Sequence, residues 1–179
     1  SAGCTGGMTS VEAQISLPKI PEISNGVLLS PGQVDELVNK LMEAQVLYKQ
    51  SGGVHTSLLT DGAGNRVTAE DIGRHNTLDK IAGRCLLENV QFKRRILLTT
   101  GRISSEMLQK AARLQSALVI SRTSPSSLSI SLAEAYGITL IGYARRNRFT
   151  IYTHSERILT TQDSLPKPLK IVSEVETSL

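Results

Sequence analysis

The chain has 179 residues and 40% of them are hydrophobic, enough for one packed domain and too many for a disordered tail. Its formal charge of +4, from 20 basic against 16 acidic residues, is mild, and a nucleic-acid binder usually shows a longer basic stripe. No apolar run reaches the length of a membrane span, no signal peptide is evident, and two cysteines, Cys4 and Cys85, exclude a disulfide framework. The expected setting is therefore reducing and cytoplasmic, with neither nucleic acid nor membrane as a partner.

Residues 1–28 read as a flexible cysteine loop and linker, with Gly3, Gly6 and Gly7 around Cys4 and then Pro18 and Pro21. A chain that opens on Ser1 is expected to be a truncation or a processing product. Ser30, Pro31 and Gln33 supply an N-cap, a proline at the first helical position and a capping-box partner. The helix they open is expected to reach about Gln50 and to bury Val34, Leu37, Val38, Leu41 and Tyr48. A hairpin follows, from Val54 to Thr60 and back from Arg66 to Thr68 across a glycine-rich turn. Thr68 with Asp71 is expected to cap a second helix to about Asn89, with Leu78, Ile81, Cys85 and Leu86 facing inward.

From there short apolar strands alternate with helices. Ile96–Leu98, Leu118–Ile120 and Ile138–Gly142 are the strands. Ser104 caps a third helix that buries Met107, Ala111 and Leu114. Ser124-Pro125 opens a fourth with Leu128, Leu132 and Ala135 inward and Gly137 as its stop. Phe149–Tyr152 reads as an edge strand. Apolar strands joined by helices imply parallel pairing with both faces covered. The fold class is α/β, a three-layer fold with a mixed, mostly parallel sheet flanked by helices. Residues 29–154 form that domain, and residues 155–179, with Pro166 and Pro168, form a C-terminal extension.

Ligands of open α/β sheets bind beyond the carboxyl ends of the strands, and each such end here carries arginine: Arg102, then Arg122, then Arg145, Arg146 and Arg148. A single loop arginine is ordinarily solvated. Several on one sheet edge, two of their loops entering helix N-termini, point to a phosphate-bearing ligand. A second polar cluster comprises His55 after Gly52-Gly53, and Arg74 and His75 in the run Glu70–Asn76; a structural capping network explains it equally well. Cys85 lies at helical spacing from Ile81 and Leu78 and reads as a core residue. Cys4 lies in a glycine-rich stretch where its thiolate can reach a partner, though spacing alone favours an inert thiol near a frayed terminus. The order helix, hairpin, alternating helices and strands matches cytidine deaminases, yet the third helix opens Gly101–Glu106 without a cysteine. No metal site is expected.

The stretches Gly52–His55, Glu70–Asn76 with Asp79-Lys80, Thr100–Ser104, Ser124–Leu128 and Gly142–Tyr152 together resemble the FdhD family, the formate dehydrogenase accessory sulfurtransferases. The resemblance implies a cytidine-deaminase-like fold and a homodimer. It implies passage of sulfur from a cysteine desulfurase to molybdenum bis(molybdopterin guanine dinucleotide) before formate dehydrogenase receives it. It places a persulfide carrier at Cys4, in a Cys-x-x-Cys loop whose second position is Gly7 here. It also places cofactor binding on Tyr143, Ala144, Arg145, Arg146, Asn147 and Arg148. With Arg102, His55, Arg74 and His75 these are the expected binding residues, and GDP-like nucleotides are expected ligands. A chaperone that binds the cofactor without sulfur chemistry is the alternative, and a zinc-dependent deaminase is a further one.

Overall fold

The computed structural model describes residues 27–159. Cys4, Gly7 and residues 160–179 lie outside the described residues.

The first helix, α1 (Pro31–Glu43), begins with the capping box read from the sequence: the Ser30 hydroxyl accepts the Gln33 N–H and the Gln33 side chain accepts the Ser30 N–H. It buries Val34, Leu37, Val38 and Leu41. The helix does not continue to Gln50. It ends at Ala44, and a separate turn of helix, α2 (Leu47–Ser51), follows. Tyr48, expected in the core, is exposed. Gly52, at φ 67°, stops α2 in the left-handed conformation that glycine adopts without strain.

Strands β1 (His55–Thr60) and β2 (Arg66–Asp71) form the hairpin. The second strand runs three residues further than expected, so Thr68 pairs with Leu58 and caps no helix. Gly73 is the N-cap of α3 (Arg74–Leu87), while Asp71 accepts the Gly73 N–H and the Asn76 side-chain amide. Leu78 and Ile81 are buried and Cys85 packs at the core margin. Leu86, one residue beyond that stripe, is turned about 100° away and is exposed.

Then come β3 (Ile96–Thr99), α4 (Ser105–Arg113), β4 (Leu118–Ser121), α5 (Ser127–Ala135), β5 (Thr139–Arg145) and β6 (Arg148–Ile151). Ser104 caps α4 by accepting the Met107 N–H. The N-cap of α5 is Ser126, because Pro125 remains extended in a bridge to Ile103. That shift places Ser129, Leu132 and Ala133 inside and leaves Leu128 and Ala135 exposed.

The six strands form one mixed sheet in the order β2-β1-β3-β4-β5-β6. Strands β3, β4 and β5 are parallel; β1 and β2 on one side and β6 on the other are antiparallel to their neighbours. One face packs on α1 through Leu58, Leu98, Ile120 and Ile141, the other on α3, α4 and α5 through Leu59, Leu97, Val119 and Leu140. The result is the expected three layers. Ser155–Leu159 dock back onto the start of the domain: Leu29 and Ile158 bridge, and Ile158 is buried beside α1. On the edge strand β2, the carbonyls of Thr68 and Glu70 accept hydrogen bonds from Arg84 and Lys80 of α3.

Candidate functional site

Because β1 runs antiparallel to β3, its first residue lies at the same sheet end as the carboxyl ends of β3, β4 and β5. The chain leaves those ends through Thr100, Arg122 and Thr123, and reaches the end of β5 at Arg145. These residues, with Gln45, Tyr48 and Gly52–His55, line a cleft of about 490 Å³.

The cleft is strongly cationic. Arg122 and Arg145 line it, and Arg74 and Arg102 stand close enough to depress the His55 imidazole. Among the described residues none of these four arginines has a carboxylate within 4.0 Å. The Nε atoms of Arg74 and Arg122 are buried without a hydrogen-bond partner, and the Arg122 Nη1 rests 3.0 Å from the Met42 sulfur. A buried cationic donor left unpaired costs free energy that an anion would return. Arg74 lies against Gly101, where a Cβ would be 2.8 Å from the Arg74 Cβ; glycine is needed there for the close approach.

His55 is held neutral. Burial lowers its pKa first, and Arg74 and Arg102 lower it further. Its Nδ1 lies 3.4 Å from the Thr100 hydroxyl, which itself accepts the Thr56 N–H at 3.0 Å. That hydroxyl therefore has its own proton left for Nδ1, and His55 can offer Nε2–H as a donor. His75 is placed differently. Its Nε2 lies 3.4 Å from the Ser104 hydroxyl and 3.6 Å from Glu106, at the α4 N-terminus, and it does not line the cleft. Burial lowers its pKa, Glu106 raises it, and Arg74 and Lys110 lower it again.

The segment Tyr143–Arg148 divides. Arg145 lines the cleft, and Ala144 is buried in the core on the α1 side. Arg146 and Asn147 form the turn between β5 and β6, with the Asn147 N–H donated to the Asp35 carboxylate on α1. Arg148 is exposed at the start of β6. Tyr143, exposed and at φ 51°, follows a glycine whose Cβ would lie 3.0 Å from Pro125 and 3.1 Å from the Thr123 carbonyl. This close packing joins the β5 and β4 ends of the cleft. Among the described residues no group of three or more His, Cys, Asp or Glu side chains could hold a metal.

Two contributors, Gln45 and Tyr48, were not anticipated from the sequence as site residues. Arg122 follows the same strand-end logic as Arg102 and Arg145. Gln45 and Tyr48 reach the cleft only because α1 stops early.

The model of the FdhD/NarQ family matches residues 1–159. The chain belongs to the FdhD/NarQ family. FdhD/NarQ relatives include proteins named sulfur carrier protein FdhD. The one from Staphylococcus haemolyticus (strain JCSC1435) is 41% identical over 136 residues, covering 76% of this chain and 52% of that protein. The one from Staphylococcus aureus (strain MRSA252) is 38% identical over 136 residues, covering 76% and 51%. The chain thus spans about half the length of these curated relatives. A solved structure described as that of a proposed formate dehydrogenase accessory protein from Desulfotalea psychrophila matches with a TM-score of 0.68 and 36% identity, over 75% of this chain and 58% of that one. No helix among the described residues is long and apolar enough to cross a membrane.

Proposed function

We propose that this FdhD/NarQ member is a sulfur carrier that holds a guanine-nucleotide cofactor in the arginine-lined cleft while Cys4 delivers sulfur to it. The observation that carries the reading is the cleft itself. Arg122, with a buried Nε that has no partner among the described residues, and Arg145 line it at the carboxyl ends of β4 and β5, and Arg74 and Arg102 stand near His55 on its wall. That arrangement suits the diphosphate of a nucleotide. Arg122 and Arg145 take phosphate oxygens, His55 donates through Nε2–H, and Tyr48 offers an aromatic surface beside them.

The client is molybdenum bis(molybdopterin guanine dinucleotide), bound as substrate. The Cys4 thiolate attacks the outer sulfur of a persulfide on a cysteine desulfurase. The donor S–S bond breaks, the donor leaves as a thiolate, and Cys4 becomes a persulfide, so no external oxidant is needed. The Cys4 S–S bond then breaks, Cys4 leaves as a thiolate, and the terminal sulfur passes to the bound cofactor at the sulfide level before formate dehydrogenase receives the cofactor. The two electrons come from a low-molecular-weight thiol that is oxidised to its disulfide. The working form is a cytoplasmic homodimer. One cysteine suffices in this scheme, since Gly7 stands where a second would be.

Intact-mass spectrometry after incubation with a desulfurase and cysteine is the test. A gain of roughly 32 Da, absent in Cys4→Ala, is expected. A chain that binds GDP but gains no sulfur would be a binding-only chaperone, the same cleft without the transfer.

A further inference from the structure

Helix α2 forms one wall of the cleft, yet little holds it in place. It has five residues and buries none of them, and so short a helix does not persist on its own propensity. Its N-cap residue, Val46, offers no side-chain cap. Behind it lies a second cavity, of about 460 Å³, lined by Leu47, Ser51 and Gly53 on the α2 side and by Glu70 and Lys80 on the other. Gly53 and Val54 border both cavities. The wall is therefore one element thick, with open space on either side.

Among the described residues its start is fastened by one carboxylate, and Lys49 adds a single 3.4 Å bond to the Glu43 carbonyl. Glu70, on β2 directly across from Thr56 of β1, reaches up to the start of α2. Its Oε2 accepts the N–H groups of Val46 at 3.0 Å and Leu47 at 2.6 Å. Its Oε1 accepts the Tyr48 N–H at 3.1 Å and the Thr56 hydroxyl at 3.0 Å. All three amides belong to the first turn of α2 or precede it, where no backbone carbonyl serves them. Charge-assisted bonds of this kind are the stronger class. Partial burial raises the Glu70 pKa, but the Leu47 and Tyr48 amides, the Thr56 hydroxyl and the Val46 amide outweigh it, so the carboxylate stays ionised.

We infer that Glu70 is the positioning residue of the cleft: it contacts no ligand itself, but its carboxylate fixes α2 and so sets Tyr48 and Gly52-Gly53 opposite Arg122 and Arg145. The inference rests on the nucleotide reading of the cleft and deepens it.

The test uses the full chain, Glu70→Ala and Glu70→Gln, with two separate readouts: amide hydrogen exchange at Val46, Leu47 and Tyr48, and GDP affinity by calorimetry. Glutamine keeps one acceptor oxygen and remains informative should the alanine variant fail to fold. Loss of protection at the three amides, with GDP affinity weakened about tenfold in Glu70→Ala and by less in Glu70→Gln, supports the assignment. Unchanged protection overturns it, as does lost protection with GDP affinity within about twofold of wild type. If the wild-type chain binds no GDP, the nucleotide reading falls by itself. The clamp then stands where the three amides lose protection and falls where they keep it.

Discussion

Gly101 lacks a Cβ, and the Arg74 side chain occupies the space one would take, with 2.8 Å between the two positions. Gly101→Ala should therefore displace Arg74 and lower the unfolding free energy by about 1–3 kcal/mol, the usual range for overpacking, read from the urea midpoint. Arg122 makes a different prediction. Its buried Nε has no partner among the described residues, and on the proposed nucleotide reading the residue serves a ligand at the expense of the fold. Arg122→Ala should weaken GDP binding by about tenfold, the loss of one charged hydrogen bond, while the urea midpoint does not fall. Cys85 is the counter-example among reactive side chains. Burial raises its thiol pKa, and Arg95 opposes this only in part. Peptide mapping after iodoacetamide at neutral pH should find Cys85 alkylated far more slowly than free cysteine.

The turn joining β2 to α3 is organised by one carboxylate. Lys80, the Gly73 N–H and the Asn76 amide hold the Asp71 pKa down to about 2. For a depressed carboxyl the stabilising contribution is present above the ordinary carboxylate range and disappears as pH falls through the folded value. The Gly73 amide resonance should then titrate near about 2 instead of about 4, and Lys80→Met should move its midpoint upward. Elements whose signals are local were legible in the sequence: the Ser30–Gln33 capping box, the Ser104 cap, the Gly137 stop and the apolar strands. The gathering of Arg102, Arg122 and Arg145 on one sheet edge was legible too, since topology brings those three together, while Arg146 and Arg148 lie in the β5–β6 turn and on β6. What was misread depends on distant partners. Nothing near Ala44 announces the break before α2, because the groups that restart the chain are served by Glu70, more than twenty residues on. Thr68 looks like a cap until β1 claims it as a pairing partner. Tyr143–Arg148 reads as one binding loop, yet a bulge and a two-residue turn send its side chains to the cleft, the core and solvent.

At the scale of the molecule, His55 and His75 both titrate below the ordinary histidine value when folded. As pH falls through about 6.5 the unfolded chain takes up protons first, so folded stability decreases with falling pH in that range. The urea midpoint should be lower at pH 5.5 than at pH 7.5, and a variant with both histidines replaced by glutamine should narrow the difference. The two borders of the sheet are also unlike. On β2, Arg84 and Lys80 already occupy the carbonyls of Thr68 and Glu70, so an incoming strand would have to displace two cations before it could pair. Among the described residues β6 carries no such side-chain donors on its backbone. Among the described residues the sheet is thus guarded at β2 and open at β6, so a sheet continuous through two copies would propagate from β6 and terminate at β2. Such a pairing, made β6 to β6, leaves both ends blocked, which limits edge-to-edge assembly to a pair.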